Sequence, residues 1–463
     1  MRALCIAVLW AGCSAASGGE ITLADVWHAA LGHDPIFAAA QAQRDVGRAR
    51  GAEAMALWLP TLTATGSAGR ADLDRRTQGA YFAAPGFAGT RGVDFQTNVT
   101  SGTATRWAMV AEQPLYDADR FALSTTQRNA ARMAEAHYRA SEQDLMLRSA
   151  RAYFEVLTAR AQLQTLVRLR AAAERTRQET QARYEAGDIP VTDMREAQAS
   201  ADTLDVQELD VRNSVTLSEA AFTDLTGLDA ADMGELPEAA TREMRAPESL
   251  DAWTQRALSG SPLRAIQQLA LVAATAQVKR YGALNSPRLS LVGQVGQDSL
   301  RGSGEYGSTD ISGRQSSIGL ELSIPLFTGG MRSAQRREAR ALEQQAEAEL
   351  ASTDQTVRQS TRAAWLAVTS ASARVQALLR LRISAASRRD ATRLGAQIGA
   401  RTALELLSAE ADSQRAEADF QLAQSDWILA GLQLKSVAGE LTEADLSQID
   451  RQMISINLQQ RGH

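Results

Sequence analysis

The sequence predicts an α+β membrane protein in which very long helices alternate with a few membrane strands, the whole pattern written twice along the chain. Three observations carry this. Ala118 to Ala186 runs 69 residues without glycine or proline, and Met331 to Leu394 runs 64. Those residues cost about 1 and about 3 kcal/mol inside a helix, so each run reads as one helix; at about 1.5 Å per residue the first is roughly 100 Å long. Ile318, Leu320, Leu322 and Ile324 alternate with Gly319, Glu321 and Ser323, the period of a strand with one apolar and one polar face. The third is repetition. Leu23-Ala-Asp-Val-Trp-His-Ala-Ala-Leu-Gly-His-Asp-Pro35 matches Leu250-Asp-Ala-Trp-Thr-Gln-Arg-Ala-Leu-Ser-Gly-Ser-Pro262, and Leu23, Pro35, Pro60 and Gly66 all recur 227 positions later.

Taken in order, residues 1–17 read as a secretory signal: Arg2, an apolar run Ala3 to Gly12, then small residues from Cys13 to Ser17. A cut after Ala15, Ala16 or Ser17 leaves a mature chain without cysteine; in a second reading Cys13 becomes a lipidated first residue. Beyond the signal no run of some 20 apolar residues offers a membrane helix. Aromatics at 5% and mean hydropathy of −0.24 suit long solvated helices better than a thick core. A net charge of −5 gives no reason to expect nucleic acid.

The first repeat spans 18–227, a linking segment 228–249, the second repeat 250–439 and a terminal segment 440–463. Each repeat has a helix ending at Pro60 or Pro287, two strands, the long helix after Pro114 or Pro325, a turn at Gly187 to Pro190 or Gly395 to Gly399, and a return helix of about 40 residues ending near Gly227 or Gly439. Strands are expected at Thr61 to Ala68, Trp107 to Ala111, from Arg288 and at 318–324. The Gly, Ser, Thr and Asp-rich stretches Arg70 to Thr105 and Gln297 to Gln315 read as exposed loops. Four strands cannot close a barrel alone, and an open edge in lipid leaves backbone groups unsatisfied. Two copies would give eight strands and three would give twelve. The alternative is a soluble helical protein with two surface hairpins.

Ala152-Tyr-Phe154-Glu-Val-Leu157, Arg183-Tyr-Glu-Ala-Gly187-Asp-Ile-Pro-Val-Thr192-Asp193, Ile324-Pro-Leu-Phe-Thr-Gly-Gly330-Met331 and Leu434-Lys-Ser-Val-Ala-Gly439-Glu-Leu-Thr-Glu-Ala-Asp445-Leu446 together resemble the TolC family of outer-membrane exit ducts, collinearly over nearly the whole mature chain. The resemblance implies a homotrimer: a 12-stranded barrel in the outer membrane lipid, continued by an α-helical coiled-coil barrel in the periplasm, with Leu228 to Pro247 and Leu441 onward as a belt. The implied partners are a periplasmic adaptor and an inner-membrane pump of the ABC transporter type. The nearest likeness is to type I secretion members, with an exported polypeptide as cargo. The alternatives are a drug or metal efflux channel and, from another class, a periplasmic coiled-coil adaptor.

No chemistry is expected. GxxxxGK[ST], HExxH and GxSxG are absent, the four histidines, His28, His33, His137 and His463, form no close ligand pair, and no cofactor or metal is implied. By resemblance the function lies at the helix turns. Thr192 and Asp193 match the family's first-tip Thr-Asp, and Arg401 matches the arginine of the second tip, the groups of a latch between inner and outer helix pairs. Glu405 falls on the first of two acidic pore rings. The second ring falls on Ser408 and the family's tip tyrosine on Ala396, departures that leave one anionic constriction and one latch bond fewer.

Overall fold

The computed structural model describes residues 21–234, 247–282, 286–305 and 307–460. The signal segment, Cys13, His463 and residues 235–246 of the linking segment lie outside the described residues. The elements are α1 (Leu23–His33), α2 (Pro35–Ala56), β1 (Thr61–Phe82), β2 (Thr90–Asp117), α3 (Ala118–Glu185), α4 (Val191–Thr226), α5 (Leu250–Gly260), α6 (Pro262–Gly282), β3 (Arg288–Gly304), β4 (Gly307–Ser323), α7 (Met331–Gln397), α8 (Ala403–Ala438) and α9 (Glu443–Gln460). Both long helices begin where the glycine- and proline-free runs begin. α7 continues past Gly395 by two residues.

The chain divides into two compact units, one made of 46–134 and 267–349 and the other of 1–45, 135–266 and 350–463. The first holds a four-stranded antiparallel sheet in the order β1-β2-β3-β4. Its register sorts the side chains. Leu62 faces Ala111, Ala64 faces Met109, and Gly66 faces Trp107; Met109 faces Val295, and Leu291 and Leu289 face Leu320 and Leu322. Those rows share one surface, on which Ile318 and Leu320 are 78% and 67% exposed. The opposite surface carries Thr63, Thr65, Ser67, Glu112, Arg106, Ser290, Asp298 and Glu321. There Arg106 pairs with Asp298 at 2.5 Å and Glu112 accepts from Ser290 at 3.1 Å. Trp107 and Tyr116 bound the apolar rows on β2, as aromatic girdles bound a lipid-facing band about 25 Å tall.

The strands are longer than the sequence suggests. β1 has 22 residues, β2 has 28, and β3 and β4 have 17 each, so most of the two stretches read as loops, Arg70 to Thr105 and Gln297 to Gln315, is paired strand. Their polar composition predicts coil because strand propensity reports packing on a half-buried face. In the sheet, register with a neighbour and pairs such as Arg301–Asp310 at 2.8 Å do that work instead. About 9–11 residues span a membrane as a tilted strand, so these polar ends extend the hairpins past the apolar band.

Strand passes to helix without a loop between β2 and α3. Asp117 Oδ1 accepts from the N–H groups of Asp119 and Arg120 at 2.8 and 3.2 Å, filling the role of a helix cap. Gly47 on α2 lies so close to the Ala134 methyl of α3 that any Cβ would collide. Asp119 is held by Arg280 and Arg288 at 2.8 and 2.9 Å, which ties α3 to α6 and β3.

The other unit is helical. Its main core gathers Val26 and Trp27 of α1, Leu145, Phe154 and Leu157 of α3, Phe222 of α4, Leu432 of α8 and Leu446 of α9. A second packs Trp253 of α5 against Val357 and Ala364 of α7 and Leu434 of α8. Buried Asp450 of α9 caps α1, accepting from the N–H groups of Leu23 and Ala24 at 2.8 and 3.0 Å. Buried Asp34, between α1 and α2, accepts from Phe37 N–H at 3.0 Å and from Arg148 of α3 at 2.6 Å. α4 and α8 each have 36 residues and each end on a left-handed glycine, Gly227 at φ 71° and Gly439 at φ 75°. Among the described residues no helix is long and apolar enough to cross a membrane.

Candidate functional site

The two helix turns are built alike. After α3, Gly187 adopts φ 80°, its N–H donates to Tyr184 O at 2.9 Å, and Asp188 N–H donates to Arg183 O at 2.9 Å. After α7, Gly399 adopts φ 73° and Ala400 N–H donates to Gly395 O at 2.8 Å. A residue with side chain would be strained in that left-handed conformation. Pro190 then opens α4 and Thr402 opens α8, so each chain presents two narrow tips.

At the first tip Thr192 Oγ1 donates to Asp193 Oδ1 at 3.2 Å, and Asp193 sits in the first turn of α4, where the positive end of the helix dipole favours a carboxylate. At the second, Arg401 Nη1 lies 2.8 Å from Glu405 Oε1. Glu405 is also half of a capping box: it accepts from Thr402 N–H at 2.8 Å while its own N–H donates to Thr402 Oγ1 at 3.1 Å. The Thr402 backbone N–H, and after it the Arg401 guanidinium, hold the Glu405 carboxyl below its usual range. The Arg401 stem lies against Gly395, where a Cβ would stand 2.8 Å from Arg401 Cγ. Thus the structure brings Arg401 to Glu405 and Thr192 to Asp193. Among the described residues no hydrogen bond or ion pair joins these two sets. Ala396 contributes only its carbonyl, which accepts from Gly399 N–H at 3.1 Å, and among the described residues the Ser408 hydroxyl has no hydrogen-bond partner there.

Behind the tips each hairpin carries a ladder of ion pairs that the sequence reading missed. Arg160 of α3 meets Glu219 of α4 at 2.6 Å, and Arg170 reaches Asp205 and, at 3.3 Å, the buried Glu208. In the second hairpin Arg382 meets Glu417 at 3.4 Å, Arg388 meets Asp412, and Arg393 meets Glu410 at 3.0 Å. In both, the outgoing helix supplies arginine and the returning helix the carboxylate. Exposed pairs contribute at most about 1 kcal/mol each; a sequence of them favours one sliding register over its neighbours. Ala173, Ala201 and Leu407 form a small apolar cluster that joins α3, α4 and α8 two residues beyond Glu405. Within α3, a hydrogen bond from Arg177, then one from Gln178, takes the Glu174 carboxyl down to about 2.

No group of three His, Cys, Asp or Glu able to hold a metal occurs among the described residues. His28 pairs with Glu443 at 3.0 Å on an exposed face, and the other described histidines converge on no ligand set.

Residues 26–228 and 253–440 match the family described as outer membrane efflux protein. The chain belongs to this family. It is 28% identical over 439 residues to outer membrane protein TolC of Vibrio cholerae, covering 92% of this chain and 93% of that one. It is 28% identical over 440 residues to the alkaline protease secretion protein AprF of Pseudomonas aeruginosa, covering 94% and 87%. The crystal structure of VceC from Vibrio cholerae superposes with a TM-score of 0.70 at 19% identity, covering 90% of this chain and 96% of that one. The protein is an outer membrane efflux family member, and no catalytic family is indicated.

Proposed function

We propose that the protein is the passive outer-membrane exit duct of a tripartite export system. Three copies close a 12-stranded barrel, and their helices continue it as a coiled-coil sleeve in the periplasm. The observation that carries this reading is the sheet itself. It has one apolar and one polar face, and edges β1 and β4 with no partner strand in the described chain. Lipid does not tolerate such edges, so further copies must pair them. The two repeats are read as a tandem duplication, supported by α1 and α5, each 11 residues long and 227 apart at their first residue. An adaptor and an inner-membrane ABC-type pump dock at the helix tips, and the tips open by untwisting. The proposed latch uses Thr192, Asp193 and Arg401, and Glu405 is the ring that selects cations. Type I secretion of a polypeptide is preferred over drug or metal efflux, in keeping with the likeness to AprF.

The test is reconstitution of the purified mature protein in planar bilayers, alongside its mass in detergent. Discrete conductance steps from a species of three chain masses are expected; a monomer that never conducts overturns the reading. In the same recordings Glu405→Ala should reduce cation selectivity and block by divalent cations. An unaltered reversal potential would remove Glu405 from the pore.

A further inference from the structure

Beside the end of the apolar sheet face lies a groove of about 790 Å³ between α3 and α6, inside the usual size range of about 300–1,000 Å³ for small-ligand sites. Trp58, Tyr116, Phe121, Leu271, Val272 and Lys279 are among the residues that line it. In the single chain Phe121 is 67% exposed and Val272 50%. Nothing in the export reading uses them.

Two facts identify the occupant. The first is continuity: Tyr116 pairs with Leu289, which pairs with Leu322, so the same ring that ends the lipid-facing rows also lines the groove. The second is charge. Lys279 is one of only two lysines in the chain, is exposed, and makes no ion pair among the described residues. The other charges at the groove are already matched. Arg280 is bound to Asp119 at 2.8 Å, and Asp117 lies 3.5 Å from Arg120 and 3.8 Å from Arg288. The unpaired charge lining an apolar groove that adjoins the lipid-facing band is therefore a single ammonium. A lysine stem can lie along apolar surface while its head stays at the polar boundary.

We propose that this groove is a seat for an anionic phospholipid of the membrane leaflet adjoining the helices, with an acyl chain along Phe121, Leu271 and Val272 and the phosphate on Lys279 Nζ. A lysine ammonium is attracted to an anionic headgroup, and the buried methylenes supply the rest. The chemistry recognised is a phosphodiester joined to a chain; a free phosphate satisfies only half of it.

The experiment is native mass spectrometry of the whole assembled protein, delipidated in detergent and then offered phosphatidylglycerol, phosphatidylcholine or inorganic phosphate. Retention of phosphatidylglycerol above phosphatidylcholine is expected, falling about tenfold in Lys279→Glu and also in Val272→Trp, which fills the groove. Both positions are exposed, and the assembly mass reports whether each variant still forms. Equal retention in wild type and both variants overturns the proposal, as does binding of inorganic phosphate with no lipid. Loss of assembly in Val272→Trp with lipid retention unchanged in Lys279→Glu overturns it as well, because the groove would then seat another copy of the chain. Conductance is not the readout, so failure here is distinguishable from failure of the duct.

Discussion

Replacing Arg401 with alanine is expected to raise single-channel conductance severalfold and, in the same recordings, to move the reversal potential toward greater cation selectivity. The two effects have separate causes. Arg401 is the cation of the proposed latch, so its loss loosens the closed tips. It also lies 2.8 Å from Glu405, and a guanidinium at that distance cancels most of the carboxylate's field within a screening length of about 8–10 Å. Glu405 stays ionised without it, because the Thr402 backbone N–H is the first of the groups holding its carboxyl below the usual range. The alanine variant therefore exposes a charge that the native tip keeps paired. The double variant Arg401→Ala, Glu405→Ala should keep the raised conductance and lose the added selectivity. Unchanged conductance in both Arg401→Ala and Asp193→Ala would remove the latch and leave Arg401 as a local partner of the α8 cap.

The second large effect is on stability. Arg148→Ala is expected to cost about 3 kcal/mol, the scale for stranding one partner of a buried pair, because Asp34 is only 4% exposed and would keep its charge with the Phe37 N–H as remaining donor. Asp34→Ala,Arg148→Ala should cost less than Arg148→Ala alone. Burial works against ionisation of Asp34, but hydrogen bonds from Arg148 and Phe37 and the Arg148 charge outweigh it and leave the carboxyl below its ordinary value of 3.8. A carboxyl lowered by folding contributes stability that is complete above its unfolded pKa and lost as pH falls through the lowered folded value. Thermal unfolding followed by circular dichroism should thus show wild type losing this contribution below about pH 4, while the double variant shows a shallower acid limb. Parallel limbs for the two proteins would mean that Asp34 is not the group responsible.

The helices were legible because their punctuation is local. Glycine and proline mark several ends: α3 stops one residue before the sequence reading places it, and Gly227 and Gly439 end α4 and α8 where expected. The strands were most legible where apolar and polar residues alternate, as at Ile318 to Leu322. Outside that band a polar strand such as Arg70 to Arg76 owes its form to partners 20–33 residues away, Gly102 among them, and a local pattern does not record them. At the second tip Thr402 and Glu405 form a Ser/Thr-x-x-Glu capping box, a local signal that the pore-ring expectation for Glu405 does not contain. The cap on α1 from Asp450 had no such signal, with 427 positions separating Asp450 from Leu23. The arginine-to-carboxylate ladders are visible as charge, but their pairing depends on how far each return helix runs back along its partner.

The open edges β1 and β4 have a genetic meaning. If one chain cannot cover its own edges, its entry into the bilayer waits on other chains, and the rate of entry rises more steeply than in proportion to their abundance. A copy with one spoiled edge would still recruit intact chains through the other and hold them in an assembly that cannot close. An allele of that kind would be dominant over the normal one, while an allele that makes no protein would be recessive.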